Sequence, residues 1–326
     1  MTHARTTSDP ILVAVIGNAL DGITREIGQT MLRTSRSPIF VEARDFATSI
    51  FSADCRLLAQ THYIPVIGGA TPYAQRAIVD FFGDDVHDGD VFIHNDPFNG
   101  GSHLRHHHHA ADLLGRRAGV LAMTKGHNAD VGGGGVVGFN PAARDVLDEG
   151  IRIPPVRIID RGTLRKDAWE LILTNVRMRS LVESVLNCQI GATAIGERRL
   201  HALLDKYGAA TLSDATDELM RASARQVRAQ IAQIPDGEYS AESLVDNDGI
   251  DRSRPYRIAL TIKFTARSSL SISAPATRRP KDSSTARSPT LSPRPTSPCS
   301  DPSIRTSATT AAPSIRSRSS PLWLHR

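Results

Sequence analysis

Cysteine is scarce and scattered in this sequence: Cys55, Cys188 and Cys299 are far apart and odd in number. That excludes a disulfide framework and a CxxC metal knuckle, and leaves buried or incidental thiols. Long apolar runs are absent too. No stretch approaches the roughly 20 apolar residues that span a bilayer, and the start, "MTHARTTSDP", has no apolar signal core behind its charges. A cytoplasmic address with no membrane attachment is the expectation. Several enzyme fingerprints are also missing: there is no GxSxG, no HExxH and no dinucleotide-binding glycine motif. The glycine run at 132–135 lacks the Lys-Ser/Thr of a phosphate-binding loop and reads as a flexible turn.

A folded basic face is lacking as well. The formal net charge is +5, but residues 265–326 hold ten Lys/Arg against two Asp/Glu, a surplus of +8. The remaining 29 basic and 32 acidic residues leave the body at −3. Nucleic-acid binding needs a basic patch on a folded surface, so no nucleic-acid partner is expected.

What is present is enough for a real core. The 326 residues are 40% hydrophobic and 22% charged, sufficient for one large domain or two ordinary ones. Asp9 is a candidate N-cap with Pro10 at the first helical position. Leu12, Ile16, Leu20, Ile23, Ile27 and Met31 then recur every three or four residues, the buried face of a long helix. "DFATSIFSADCRLLAQ" reads as a β-hairpin turning near Ser52 to Cys55. "DVFIHNDP" is a buried strand running into a polar loop, and Gly119 to Thr124 is another before a glycine-rich loop. Leu171 to Gln233 is helical, broken at Gly208, with Leu200, Leu203, Leu219, Val227 and Ile231 as core positions. "IPDGEY" is a turn, and "YRIALTIKF" alternates as a half-buried strand through Ile258, Leu260, Ile262 and Phe264. The expected class is α+β, with mixed strands and helices over residues 1–264. Residues 265–326 are Ser, Thr, Pro, Arg and Ala with hardly a large apolar side chain, and are expected to be a disordered tail.

Two polar loops carry the chemistry: "HNDPFNGGSH" at 94–103 and "KGHNADVGGGG" at 125–135. Each follows a predicted strand and has glycines that let backbone approach a ligand. His103 and His127, with a carboxylate, could form a divalent-metal site, since imidazole and carboxylate suit Zn, Mn or Fe. Turns are the competing reading, because spacing alone is not diagnostic.

Six segments in order, "SPIFVEARDFATSIF", "LLAQTHYIPVIGGATPYA", "GDVFIHNDPFNGGSHL", "GHNADVGG", "EGIRIPPVRI" and "IGERRL", resemble the N-terminal part of the hydantoinase B/oxoprolinase family. That family includes N-methylhydantoinase B subunits and is related to the alpha subunit of acetone carboxylase. The resemblance implies one component of an enzyme that uses ATP to open a small cyclic amide, of hydantoin or 5-oxoproline type. The ATP would be bound by a partner A-type subunit or domain. It also implies a metal site with the pattern His-Leu-Pro-Asp and a downstream Gly-His. His103 and His127 match the histidines, while Arg105 stands at the Pro position and His106 at the Asp position. Asp96 and Asp130 are expected to shape the loops or orient the imidazoles. No catalytic acid, base or nucleophile is assigned.

The run from His106 to His109 admits three readings: a metal tract, an expression-tag scar, or a reading-frame error. With suitable synonymous codons, Arg105 to Asp112 read from the second base gives Asp-Ile-Thr-Ile-Thr-Gln-Pro-Ile, an alternating strand that begins with the missing Asp. The stretch from Arg267 to Ser300, read from the third base, gives a strand followed by an apolar run. Both stretches, about 105–115 and from 265 onward, are therefore read as out of frame, and this chain as truncated and impaired. The alternatives are a subunit of an ATP-dependent ketone carboxylase, or a non-catalytic metal-binding or scaffold protein.

Overall fold

The computed structural model describes residues 9–61, 63–104, 106–112, 120–135, 140, 143–247, 252–265 and 269–273, with 106–112 and 269–273 traced as backbone. These residues form two compact units, the first running to Arg225 and the second beginning at Gln226. The class is α+β, as the hydrophobic pattern indicates.

The first unit is built on a seven-stranded antiparallel sheet. Its strands are β1 (Phe46–Ser52), β2 (Leu57–Gln60), β3 (Val91–His94), β4 (His106–Asp112), β5 (Val120–His127), β6 (Val156–Asp160) and β7 (Thr163–Leu164). They lie in the order β2-β1-β5-β4-β3-β6-β7. The histidine run is therefore the first part of the middle strand.

Helices cover both faces. Helix α1 (Pro10–Thr34) starts where the Asp9 carboxylate accepts the Ile11 N–H at 2.9 Å, with Pro10 in the first turn. Ile16, Leu20, Ile23, Ile27 and Met31 are buried along one stripe, and Leu12 is partly buried. After the short helix α2 (Pro38–Val41), helix α3 (Pro65–Phe82) lies on the opposite face, over Phe51, Phe92, Leu121 and Met123. Helix α4 (Val146–Glu149) is a single capped turn, followed by α5 (Lys166–Thr174), α6 (Arg179–Tyr207) and α7 (Ala209–Ile231). Helix α6 packs against α1, β4 and β5.

The helical stretch differs from expectation in one place. It is interrupted at Asn175–Met178 as well as at Gly208, because the buried Asp130 carboxylate accepts the Arg177 and Met178 N–H groups and starts α6 afresh. Leu200 is buried and Leu203 and Leu219 partly so, but Val227 is 57% exposed and does not belong to the core. Cys55 and Cys188 are free and buried; Cys299 lies outside the described residues.

The second unit carries β8 (Gly237–Val245), β9 (Tyr256–Thr265) and β10 (Ser269–Ser273), antiparallel in the order β10-β9-β8. Strand β9 alternates as predicted and is half-buried at Ile262 and Phe264, whereas Ile258 is 53% exposed and Leu260 36%. Strand β10 lies beyond Phe264, within the stretch expected to be tail. Residues 274–326 lie outside the described residues, and the expectation of disorder there lies outside them too. Among the described residues, no helix is long and apolar enough to cross a membrane.

Candidate functional site

The two loops singled out in the sequence meet at one end of the large sheet. Strand β5 runs three residues past its predicted end and delivers His127 as its last residue. The loop after β3 returns His103 to the same place, with imidazole centroids 5.3 Å apart and the rings edge to face. Strand β4 lies between the two parent strands, and its register sets His106 directly opposite His127. The His106 side chain lies outside the described residues.

A third group comes from a segment the loop reading passed over. The Asp45 carboxylate lies 3.1 Å from His127 Nδ1, and the Asp45 carbonyl accepts the His127 N–H at 3.1 Å. A sharp turn presents it: Arg44 has φ 52°, in the left-handed region that non-glycine residues seldom adopt, and Asp45 N–H donates to the Ile39 carbonyl. Between Lys125 and His127, only glycine fits. A Cβ on Gly126 would lie 2.2 Å from the Phe40 ring. The α2 turn that bears Phe40 thus packs directly on the strand that carries His127.

Behind these groups lie two buried bases. Lys125 is fully buried, two residues before His127 on the same face of β5, and its Nζ donates to Ser102 Oγ at 3.0 Å. Burial pushes its ammonium down to about 7, so near neutral pH much of it is uncharged. His94 closes β3 in the register row that crosses β4 to Lys125. Burial, with a smaller contribution from Lys125, pushes its imidazole down to about 4.

The two aspartates act on backbone. Asp130 accepts the Gly132 N–H at 2.9 Å besides the two amides that start α6. Arg177 closes the same knot, donating to the Gly133 and Gly135 carbonyls. The glycine run is thus a clamped turn. Asp96 accepts the Phe98 N–H at 3.0 Å, while Arg152 approaches it at 3.7 Å. Both carboxylates shape loops, and neither makes a described contact with the two imidazoles.

The donor chemistry fits a divalent cation: two adjacent imidazoles, one of them backed by a carboxylate as metal-binding histidines commonly are. Among the described residues, no three His, Cys, Asp or Glu side chains form a metal-holding group. Position 106, whose backbone lies opposite His127, is where the family resemblance leads one to expect a further ligand. A separate cavity of about 200 Å³, lined by Leu20, Ser52, Leu58 and Leu200, lies at the other end of β1.

Fold and site together define a helix-covered antiparallel sheet with a His/Asp cluster at one strand end. The chain belongs to the hydantoinase B/oxoprolinase family, which it matches over residues 9–285. It is 37% identical over 244 residues to the caprolactamase subunit beta of Pseudomonas jessenii, covering 74% of this chain and 42% of that one. The crystal structure of the ATP-dependent caprolactamase from that organism superposes with a TM-score of 0.76 at 34% identity, over 82% of this chain and 46% of that one. A 5-oxoprolinase of Dictyostelium discoideum is 25% identical over 273 residues, 81% of this chain and 21% of its own. The nucleotide-free acetone carboxylase structure has a TM-score of 0.71 at 16% identity, over 82% of this chain and 37% of that one, a likeness of fold alone. The chain thus spans less than half the length of each of these proteins.

Proposed function

We propose that this chain is the N-terminal part of a B-type subunit of an ATP-dependent cyclic-amide hydrolase, with His103, His127 and position 106 holding a divalent cation. The observation that carries the reading is the meeting of His103, His127 and Asp45 at one strand end, in a chain 37% identical to a caprolactamase beta subunit. A bound Zn, Mn or Fe ion would supply Lewis-acid polarisation of a substrate oxygen or of water. The Asp45 carboxylate, 3.1 Å from His127 Nδ1, would orient that ring for a cation, as carboxylates behind metal-binding histidines do. Asp130 and Asp96 hold the two loops in shape, and Gly126 lets Phe40 brace the strand. ATP is assigned to an A-type partner. The test is co-expression of the frame-restored form of this chain with an A-type subunit and an assay of ATP-dependent opening of caprolactam, hydantoin or 5-oxoproline. Ring opening lost on His103→Ala and His127→Ala supports the reading. A complex that binds metal but opens none of the three overturns this substrate class. Metal bound only loosely by the chain as it stands, and lost on replacing His106 to His109, would favour a scaffold with adventitious binding.

The histidine run bears on activity. The register rows Phe92–Ala110–Met123 and Ile93–His109–Thr124 place β4 between strands whose residues are buried. A central strand covered on both faces calls for apolar or β-branched residues, which four consecutive histidines do not supply. This supports reading 105–115 as an out-of-frame strand that has lost the family's Asp, and this chain as impaired. Sequencing the source DNA over codons 100–118 and 260–326 decides it. A shifted frame that restores Asp-Ile-Thr-Ile is expected, and confirmation of the sequence as given overturns the reading.

A further inference from the structure

We infer that Asn95 is a positioning residue that holds His103 beside His127; the inference rests on these two imidazoles being the working pair of the site. Asn95 directly follows β3 and is fully buried. Its side chain makes three hydrogen bonds to backbone, one to the returning end of its own loop and two to a segment more than fifty residues on. Nδ2 donates to the Leu104 carbonyl at 2.8 Å and to the Ile151 carbonyl at 3.0 Å, and Oδ1 accepts the Ile153 N–H at 2.6 Å. Its own N–H donates to the Ile153 carbonyl at 3.0 Å.

These partners are the two ends of the site. Leu104 is buried and adjoins His103, so the Leu104 bond fixes the loop where it delivers that imidazole. Ile151 donates its N–H to the Val131 carbonyl at 2.7 Å, and Val131 lies in the clamped turn that follows His127. One amide therefore ties the His103 loop to the segment that braces the His127 loop. The start of the His103 loop is held differently. The Asp96 carbonyl accepts the Asn99 and Gly101 N–H groups, closing a local turn that leaves the returning end to Asn95.

Only an amide fits this place. Two carbonyls need two hydrogens and one N–H needs an oxygen, which asparagine supplies from one short side chain. Aspartate has the same shape but no hydrogens when ionised, and it would set a carboxylate oxygen against two carbonyl oxygens.

The experiment compares the full chain with Asn95→Asp and, as a control for charge in the same loop, the exposed Asn99→Asp. Two quantities are measured: Co²⁺ affinity from its visible absorption, and backbone hydrogen exchange by segment. Asn95→Asp is expected to weaken Co²⁺ binding about tenfold or more, as loss of groups that orient metal-binding residues does. Exchange should quicken in 96–104 and 150–153 while β1 stays protected, and Asn99→Asp should match wild type. Wild-type affinity together with unchanged exchange in Asn95→Asp overturns the inference. So does exchange that quickens uniformly, which marks general destabilisation, or an equal loss in both variants, which marks charge. Should the wild-type chain bind no Co²⁺, the metal reading fails, and segmental exchange alone decides the role of Asn95. If Asn95→Asp does not fold, Asn95→Ser keeps one donor. An intermediate loss supports the inference and a folded variant of wild-type behaviour overturns it.

Discussion

The two sheets of this chain are both antiparallel and both patterned, yet one is a core and the other a surface. In the seven-stranded sheet Ile50 of β1 is fully buried beneath α1, and Phe51, its neighbour in sequence, is fully buried on the α3 face. In the three-stranded sheet, register places Tyr239 and Val245 of β8 on one face with Tyr256, Ile258, Leu260, Ile262 and Phe264 of β9. The other face carries the Glu242–Arg257 and Glu238–Lys263 ion pairs and the Ser240–Thr261 contact. The faces are separated except for Leu244 on the polar one and Ser243 on the apolar one, but Ile258 remains 53% exposed. Alternation tells which residues share a face; it does not supply the layer that covers it.

Matched substitutions break this comparison most sharply. Ile50→Ala removes a side chain packed on every side and should cost about 3 kcal/mol of unfolding free energy. Ile258→Ala should cost less than about 0.5 kcal/mol, as an exposed substitution does. Urea unfolding of both variants checks this. Should Ile258→Ala prove as costly as Ile50→Ala, the β9 face is covered in solution, and the contrast between the sheets disappears.

The next effect is a pH dependence that the first unit has by burying its bases. Folding holds Lys125 at about 7 against 10.5 in the unfolded chain. Between those values the unfolded state binds the extra proton, so stability is greatest above 10.5 and falls as pH drops towards 7. His94 repeats the pattern lower down, losing stability as pH falls from 6.5 towards 4. In the metal-free chain, the stability difference between wild type and Lys125→Met should change by a few kcal/mol between pH 7 and pH 10. Parallel stability curves for the two chains would show that Lys125 is solvated when folded.

Asp130→Ala is smaller in effect, at about 2 kcal/mol, because the three N–H groups it leaves can partly find water at the turn. It should also weaken metal binding by loosening the turn after His127. Unfolding and Co²⁺ titration of the same variant separate the two effects, and loss of stability with full affinity would make Asp130 a helix-starting residue only.

Much of this was legible in the sequence where one element decides the outcome. Asp9, Pro10 and the three-to-four spacing from Leu12 to Met31 define α1 without outside help. His103 and His127 stood out because their loops combine imidazole with glycine. What brings them together did not, since the order β5-β4-β3 is a property of the whole sheet. Asp45 lies 82 residues before His127 in the plain run "EARD", with no signal but its place in a family-like segment. Lys125 did leave a trace. Leu121, Met123 and Lys125 share one phase of a buried strand, and a lysine in that phase is a buried cation. Asn95 was hidden because one asparagine among "HND" looks like a turn residue until its backbone partners Leu104, Ile151 and Ile153 are known.

A second matched pair closes the comparison at its small end. Lys263 pairs with Glu238 at 3.1 Å on the polar face of β9, with both side chains more than half exposed. Water already solvates each charge there, and the pair must order two long side chains to form, so little is gained. Lys263→Met should leave the urea midpoint unchanged within error at pH 7 and pH 10 alike. The same substitution at Lys125 should change stability and its pH dependence together. Placing one residue type in both sheets thus separates the effect of covering from that of strand pairing, because both lysines lie in regular antiparallel ladders and only one lies beneath a layer. A measurable shift at Lys263 would mean that its face is also shielded from water.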